Sequence, residues 1–239
     1  MKLSSSGTLK IFLYKIRARL TGRRHPLLIE DLLQKNFKEG SPFSFIQVGA
    51  HNGVSYDSLY DFVKKRQTKG VVIEPLPDLH ESLVMNYKNL PGVTTVQKAI
   101  HATEKEITLY RVDPAKLDQF PQWAGGIASI HRDHHQRSGI PAEAMITQKV
   151  SAGNLVDILE EIGWSQPVDL LQIDVEGFDY EVLKQVDFEK LNPTFVKMEY
   201  ANLSTSAGQA ARQLLEENSY WCFHQGLDLI GVRLNRIRL

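Results

Sequence analysis

A single cysteine, Cys222, in 239 residues excludes an intrachain disulfide and a cysteine-built zinc cluster. It suits a reducing compartment, so a cytoplasmic location is expected. No apolar run approaches the ~18–20 residues that span a bilayer. The N-terminus also lacks the apolar stretch and small-residue cleavage site of a signal peptide. Net charge is missing too, because 28 basic residues balance 28 acidic ones. The balance is uneven along the chain. Lys2, Lys10, Lys15, Arg17, Arg19, Arg23 and Arg24 precede the first acid, Glu30, which leaves 21 of the 28 basic residues against all 28 acids in the body. An acidic body argues against a broad nucleic-acid surface. The Gly-x-Gly-x-x-Gly turn that cradles a pyrophosphate is absent as well, which disfavours a nicotinamide-dependent reductase.

What the chain does have is an apolar run, Phe45-Ile-Gln-Val, entering Gly49-Ala-His-Asn-Gly53. It reads as a buried strand that ends in a tight turn, where glycine accepts positive φ and lets backbone approach a ligand. A second run, Val71-Val-Ile-Glu-Pro75, ends in an acid. At the tip of a neighbouring strand, Glu74 could accept both hydroxyls of a ribose. A nucleoside without phosphates fits these two turns, and S-adenosylmethionine is the commonest cofactor of that kind.

Residues 1–40 form a basic helical segment apart from the rest. Leu9, Phe12, Leu13, Ile16 and Leu20 recur at helical spacing among lysines and arginines. Docking of this stripe on the body or on a second subunit, as a homo-oligomer, is expected ahead of contact with an anionic membrane through residues 9–24. A short helix over 27–37 follows. From residue 41 to the end, strands alternate with helices. The strands are expected at 43–48, 70–74, 94–100, 168–174, 194–200, 220–224 and 228–234, and the helices at 57–65, 77–86, 155–162, 180–186 and 207–218. This predicts an α/β domain with a mostly parallel seven-stranded sheet and helices on both faces. The last two strands are joined by a turn so short that they must pair antiparallel. Such a C-terminal hairpin marks the Rossmann-like class I methyltransferase sheet. Residues 113–149 break the rhythm with three prolines, two adjacent glycines and Trp123. They read as an irregular insertion that caps a substrate site.

A second motif, Val168-Asp-Leu-Leu-Gln-Ile-Asp-Val-Glu-Gly177, places Asp174 and Glu176 at a strand end. In open α/β sheets that edge is where ligands bind. The order Gln47-Val-Gly-Ala-His-Asn-Gly53, Val72-Ile-Glu-Pro75, Lys98-Ala-Ile100 and Leu171-Gln-Ile-Asp-Val-Glu-Gly177 resembles the FkbM family of S-adenosylmethionine-dependent methyltransferases. The resemblance runs from about residue 43 to 232. It implies O-methylation of a hydroxyl in a sugar, glycan or polyketide-like metabolite. It also implies that Gly49, Ala50 and Gly53 contact the methionine part of the cofactor, with Gln47, His51, Asn52 and Pro75 completing the same turns. Glu74 would bind the ribose, Ala99 and Ile100 would flank the adenine, and Asp174 would sit beside the sulfonium or the acceptor. Two positions depart from common patterns. Many methyltransferases have an acid where this chain has Gln47, and His51 stands where asparagine is usual. These departures leave a catalytically silent binding module as the rival reading.

In-line placement of the acceptor oxygen does most of the work in such a transfer. A base would add ~10²–10⁴-fold. Candidates are Asp174, Glu176 and the insertion's His131 and His135, which with His134 are spaced to share one helical face. Asp174, Glu199 and Asn202 are candidate oxygen ligands for a magnesium ion that orients a diol.

Overall fold

The computed structural model describes Ile11 and residues 27–56 and 58–239. The expected basic helix over residues 9–24 therefore lies outside the described residues, except for Ile11, which packs partly buried against the core. In chain order the elements are α1 (Ile29–Asn36), β1 (Pro42–Val48), α2 (Leu59–Val63), β2 (Gln67–Ile73), α3 (Pro77–Tyr87), β3 (Val93–Val96), β4 (Ala99–Ile100), β5 (Glu106–Val112), β6 (Ala128–Ser129), β7 (Met145–Gly153), α4 (Leu155–Glu161), β8 (Leu170–Ile173), α5 (Asp179–Leu183), β9 (Phe195–Glu199), α6 (Thr205–Glu217), β10 (Trp221–Gln225) and β11 (Asp228–Val232).

Seven strands form the main sheet in the order β3-β2-β1-β8-β9-β11-β10. Only β11 runs against the others, paired antiparallel to both β9 and β10. The central strands are apolar on both faces, as a sheet covered on both sides requires. Ile46, Val48, Ile73, Leu171, Ile173 and Met198 face one core, shared with α4, α5 and α6. Phe43, Phe45, Val72, Leu170 and Phe195 face the other, shared with α1, α2 and α3. Side chains alternate along each strand, so one run of residues serves both layers.

Register decides where the site lies. Val48 pairs with Ile73 and Ile173, Ile73 with Val96, and Ile173 with Met198. Five parallel strands therefore end in line, and the turns after them, at 49–53, 74–76, 97–98, 174–177 and 200–203, emerge on one edge.

Two expectations need correction. The single strand at 94–100 is two: β3 stays in the main sheet, while β4 leaves it to pair with β7. Residues 113–149 are not wholly irregular, because β6 lies within them and β7 starts at Met145. β7, nine residues long, pairs antiparallel with all seven residues of β5, and with β4 and β6 they make a second, four-stranded sheet. Between β5 and β7 the chain runs through short 3₁₀ turns at Pro114–Gln119, Gln122–Gly126, His134–Ser138 and Ala142–Ala144.

Candidate active site

The turn after β1 is shaped by contact with the turn after β8. Gly49 has φ +79°, and a Cβ there would fall 1.7 Å from the carbonyl oxygen of Asp174. Only glycine lets these two loops touch. Gly53 serves packing in the other direction, since its Cβ would meet Leu83 and Tyr87 of α3 at 2.5 Å. Asn52 is occupied within the loop. Its Oδ1 accepts from the backbone of Val54 and Ser55 at 3.0 and 2.8 Å, and its Nδ2 donates to Ser55 Oγ at 2.9 Å. Gln47, Gly49, Ala50 and His51 line the cavity above the strand ends, and Asn52 and Gly53 do not.

Glu74 sits at the tip of β2, only 5% exposed. Its Oε2 accepts from His51 N and its Oε1 from Leu76 N, both at 2.9 Å. Burial pushes its carboxyl up to about 7, although these two N–H groups and Arg111 pull the other way. Each oxygen keeps a second lone pair, and the residue borders the cavity beside Pro75, Ala99 and Ile100. Arg111 is itself held by a bidentate pair with Asp78 at 2.6 and 2.9 Å, which locks β5 onto the start of α3.

At the far side of the cavity the acids crowd. Asp174, Glu176, Glu199 and Asn202 all line it, with Lys197 as the nearby cation. Lys197 Nζ lies 3.5 Å from Asp228. Surrounding protein and then the charges of Glu176, Asp179 and Asp228 push the Asp174 carboxyl up. Asp174 nevertheless opens onto the cavity, more than a third exposed, so solvent offsets part of that burial and the upward direction is what the like charges support. Glu199 is raised in the same sense, by burial and then by Asp174 and Glu176. Asp179 was not singled out from the sequence. It is fully buried and accepts from the backbone of Val175 and Gly177, both at 3.1 Å, which closes the turn that presents Asp174 and Glu176. Its position at the start of α5, just after Gly177, is the signal that could have found it.

The insertion roofs the cavity with Trp123, Gly126, Ile127 and Ala128. It is tied to the segments after β1, β8 and β9. Tyr56 donates to Gln122 O at 2.5 Å, and His51 Nε2 lies 3.3 Å from Gly125 O. Ser129 Oγ donates to Glu176 O at 2.7 Å, and Arg137 donates to Asn202 O at 2.5 Å. The three histidines do not share one helical face. His131 is exposed and tilts over the Phe178 ring at 6.3 Å. His135 is buried with Nδ1 donating to Ile140 O at 2.7 Å, away from the cavity. His134 is the one that reaches a site residue, with Nε2 2.9 Å from Glu176 Oε2.

The cavity volume is about 560 Å³, within the range of small-molecule sites. Asp174, Asp179 and Glu199 bring carboxylate oxygens within 4.8 Å of one another. Their chemistry fits a metal poorly. Both oxygens of Asp179 already accept backbone N–H bonds, and Asn202 turns its amide nitrogen, at 2.9 and 3.0 Å, onto both oxygens of Glu199. With its amide turned this way Asn202 is a donor to Glu199 and not the oxygen ligand expected of it.

The model of the "Methyltransferase FkbM domain" matches residues 47–222, which takes in the strand-end turns at 49–53, 74–76, 97–98, 174–177 and 200–203. The chain belongs to the FkbM methyltransferase family. Its strand order, with one reversed strand next to the last, is the class I Rossmann-like methyltransferase sheet. Solved structures similar to it include an FkbM methyltransferase from Methylobacillus flagellatus KT, at 15% identity and a TM-score of 0.49, covering 80% of this chain and 44% of that one. The chain thus spans less than half the length of that relative. Another is a precorrin-6y C5,15-methyltransferase from Geobacter metallireducens GS-15, at 12% identity and a TM-score of 0.41, covering 84% and 83%. No curated protein sequence matches the chain. Among the described residues of this FkbM-family chain, no helix is long and apolar enough to cross a membrane.

Proposed function

We propose that this protein is an S-adenosylmethionine-dependent O-methyltransferase acting on a hydroxyl of a sugar, glycan or polyketide-like small molecule. The observation that carries the reading is one cavity bordered by both Glu74 and Asp174, with Gly49, Ala50 and His51 of the turn after β1 also lining it. The residues fit the cofactor. A buried carboxylate with spare lone pairs stands at the β2 tip, where a ribose diol needs acceptors. Leu76, Leu79, Ile107 and Leu109 add an apolar wall near Ala99 and Ile100, suited to a flat base.

When bound, the cofactor supplies an activated methyl group on a sulfonium. The protein's own residues then have three tasks. Glu74 would accept the ribose hydroxyls, and Gly49, Ala50 and His51 would border the methionine part. The roof formed by Trp123, Gly126 and Ile127 excludes water and holds the acceptor for in-line approach. Asp174, kept basic by neighbouring carboxylates, takes the hydroxyl proton as it is lost. A carboxylate-rich, hydrogen-bonding acceptor end favours a polyhydroxylated acceptor over an apolar one.

The test has two stages. Calorimetric titration with S-adenosylmethionine and S-adenosylhomocysteine checks the cofactor. Transfer of a labelled methyl group into a panel of saccharides and small-molecule alcohols then checks the acceptor class. Cofactor binding with no transfer to any hydroxyl, or transfer onto nitrogen or carbon, would remove the O-methyltransferase reading.

A further inference from the structure

Glu176 is the least relaxed residue at the acidic end of the cavity. Its φ of +54° puts a residue with a side chain in the left-handed region. Such a conformation is costly for a residue with a Cβ and persists only where its surroundings enforce it. Three donors enforce it here. Ser129 Oγ, fully buried on β6, donates to the Glu176 carbonyl at 2.7 Å. His134 Nε2 and Asn202 Nδ2 both meet the same carboxylate oxygen, Oε2, at 2.9 Å.

The asymmetry of these contacts is informative. The His134 side chain is 5% exposed and does not border the cavity, whereas Glu176 is 22% exposed and does. Among the described residues, no donor falls on Glu176 Oε1. A carboxylate clamped twice through one oxygen has a fixed orientation, and the other oxygen is what it can offer to a ligand. The clamp joins two distant segments, because His134 comes from the insertion and Asn202 from the turn after β9.

We infer that His134 is a positioning residue which, with Asn202, holds Glu176 so that Oε1 faces the transferring methyl group and accepts a hydrogen bond from the acceptor hydroxyl. The inference rests on the methyltransferase reading and adds to it that the insertion builds the acceptor half of the site. His134 acts through Glu176 and does not touch substrate.

Two cofactor analogues read this arrangement without knowledge of the acceptor. Sinefungin carries an amino group where the cofactor carries its transferable methyl, and S-adenosylhomocysteine carries nothing there. The ratio of their affinities for the full chain, measured by calorimetry, reports a carboxylate aimed at that point. The wild type is expected to prefer sinefungin, and Glu176→Gln to lose most of the preference. His134→Phe keeps a ring but no donor, and should cut the preference by about 5–10-fold, less than the roughly 10–150-fold of deleting a hydrogen bond to a charged group, because the Glu176 carboxylate stays and only loses its aim. His134→Gln keeps an N–H donor and should restore it to within about 3-fold, while affinity for S-adenosylhomocysteine stays within about 2-fold throughout. Asn202→Ala removes the second donor to the same oxygen and should lower the ratio too, which keeps the test open if the Phe variant does not fold. An unchanged ratio in both His134→Phe and Asn202→Ala overturns the positioning role. An equal loss for both ligands overturns it as well, by showing a role in folding alone. A wild type that binds neither analogue overturns the methyltransferase reading with it.

Discussion

Glu74 makes cofactor binding depend on pH in a way the structure lets one work out. Its carboxyl is pushed up to about 7 by burial, so near neutrality the empty site is partly protonated. Two ribose hydroxyls need the ionised form, with both oxygens free to accept. Binding therefore selects the carboxylate, and affinity should fall about tenfold per pH unit below about 7 and level off above it. Removing the charge should remove the dependence. Glu74→Gln should weaken binding by about 1.5–3 kcal/mol at pH 8, roughly 10–150-fold in Kd, and leave Kd nearly flat from about pH 5.5 to 8.

The same shift has an opposite effect on the empty protein. A carboxyl whose folded pKa is raised holds a proton that the unfolded chain releases. Its stabilising contribution is complete below the ordinary carboxylate value of 4.5 and is lost as pH rises through about 7. At ~1.4 kcal/mol per unit, the loss is at most about 3.5 kcal/mol. Thermal denaturation of the apo protein should thus show Tm falling between about pH 5 and 7.5, less steeply in Glu74→Gln, with cofactor reversing the trend. A wild-type Kd that is flat across this range, or one that tracks that of the Gln variant, would refute the assignment of Glu74 to the ribose.

Further outcomes follow from the packing around the site. Gly49→Ala should destabilise the fold by at least ~2 kcal/mol in urea denaturation, because its Cβ meets the Asp174 carbonyl, whereas Gly126→Ala, with nothing within 4 Å, should stay within ~0.5 kcal/mol. Arg111→Met breaks the bidentate pair with Asp78 and removes a charge that lowers Glu74, so it should cost about 1–3 kcal/mol and move the pH midpoint of cofactor binding upward. Asp174→Asn should keep the fold and S-adenosylhomocysteine affinity while cutting turnover by ~10²-fold or more, and near-normal turnover would reduce Asp174 to a structural acid.

Much of this architecture could be read from the chain because the main-sheet strands are short apolar runs closed by glycine or an acid. Phe45 to Gly53, Val71 to Glu74 and Leu170 to Gly177 announce their own ends, and parallel register then brings those ends together. The four-stranded sheet was harder to read. β7 mixes exposed and buried positions, and it exists because it pairs with β5, more than thirty residues earlier, a contact that no local pattern records. Gly53 shows a different ambiguity. A glycine that clears a ligand and one that clears a neighbouring helix look alike in sequence, and here Leu83 and Tyr87 of α3 are what it clears. The histidines fail for a reason of period. At 3.6 residues per turn, positions 131, 134 and 135 fall on one face, and any of them could meet the acids. The chain instead closes an i→i+3 bond from His134 N to His131 O and continues as a 3₁₀ turn. With three residues per turn, i and i+3 eclipse while i+4 swings away. His131 and His134 accordingly both face the turn that carries Glu176 and Phe178, and His135 points to the carbonyl of Ile140. A change of half a residue in helical period thus selects which histidine reaches the site.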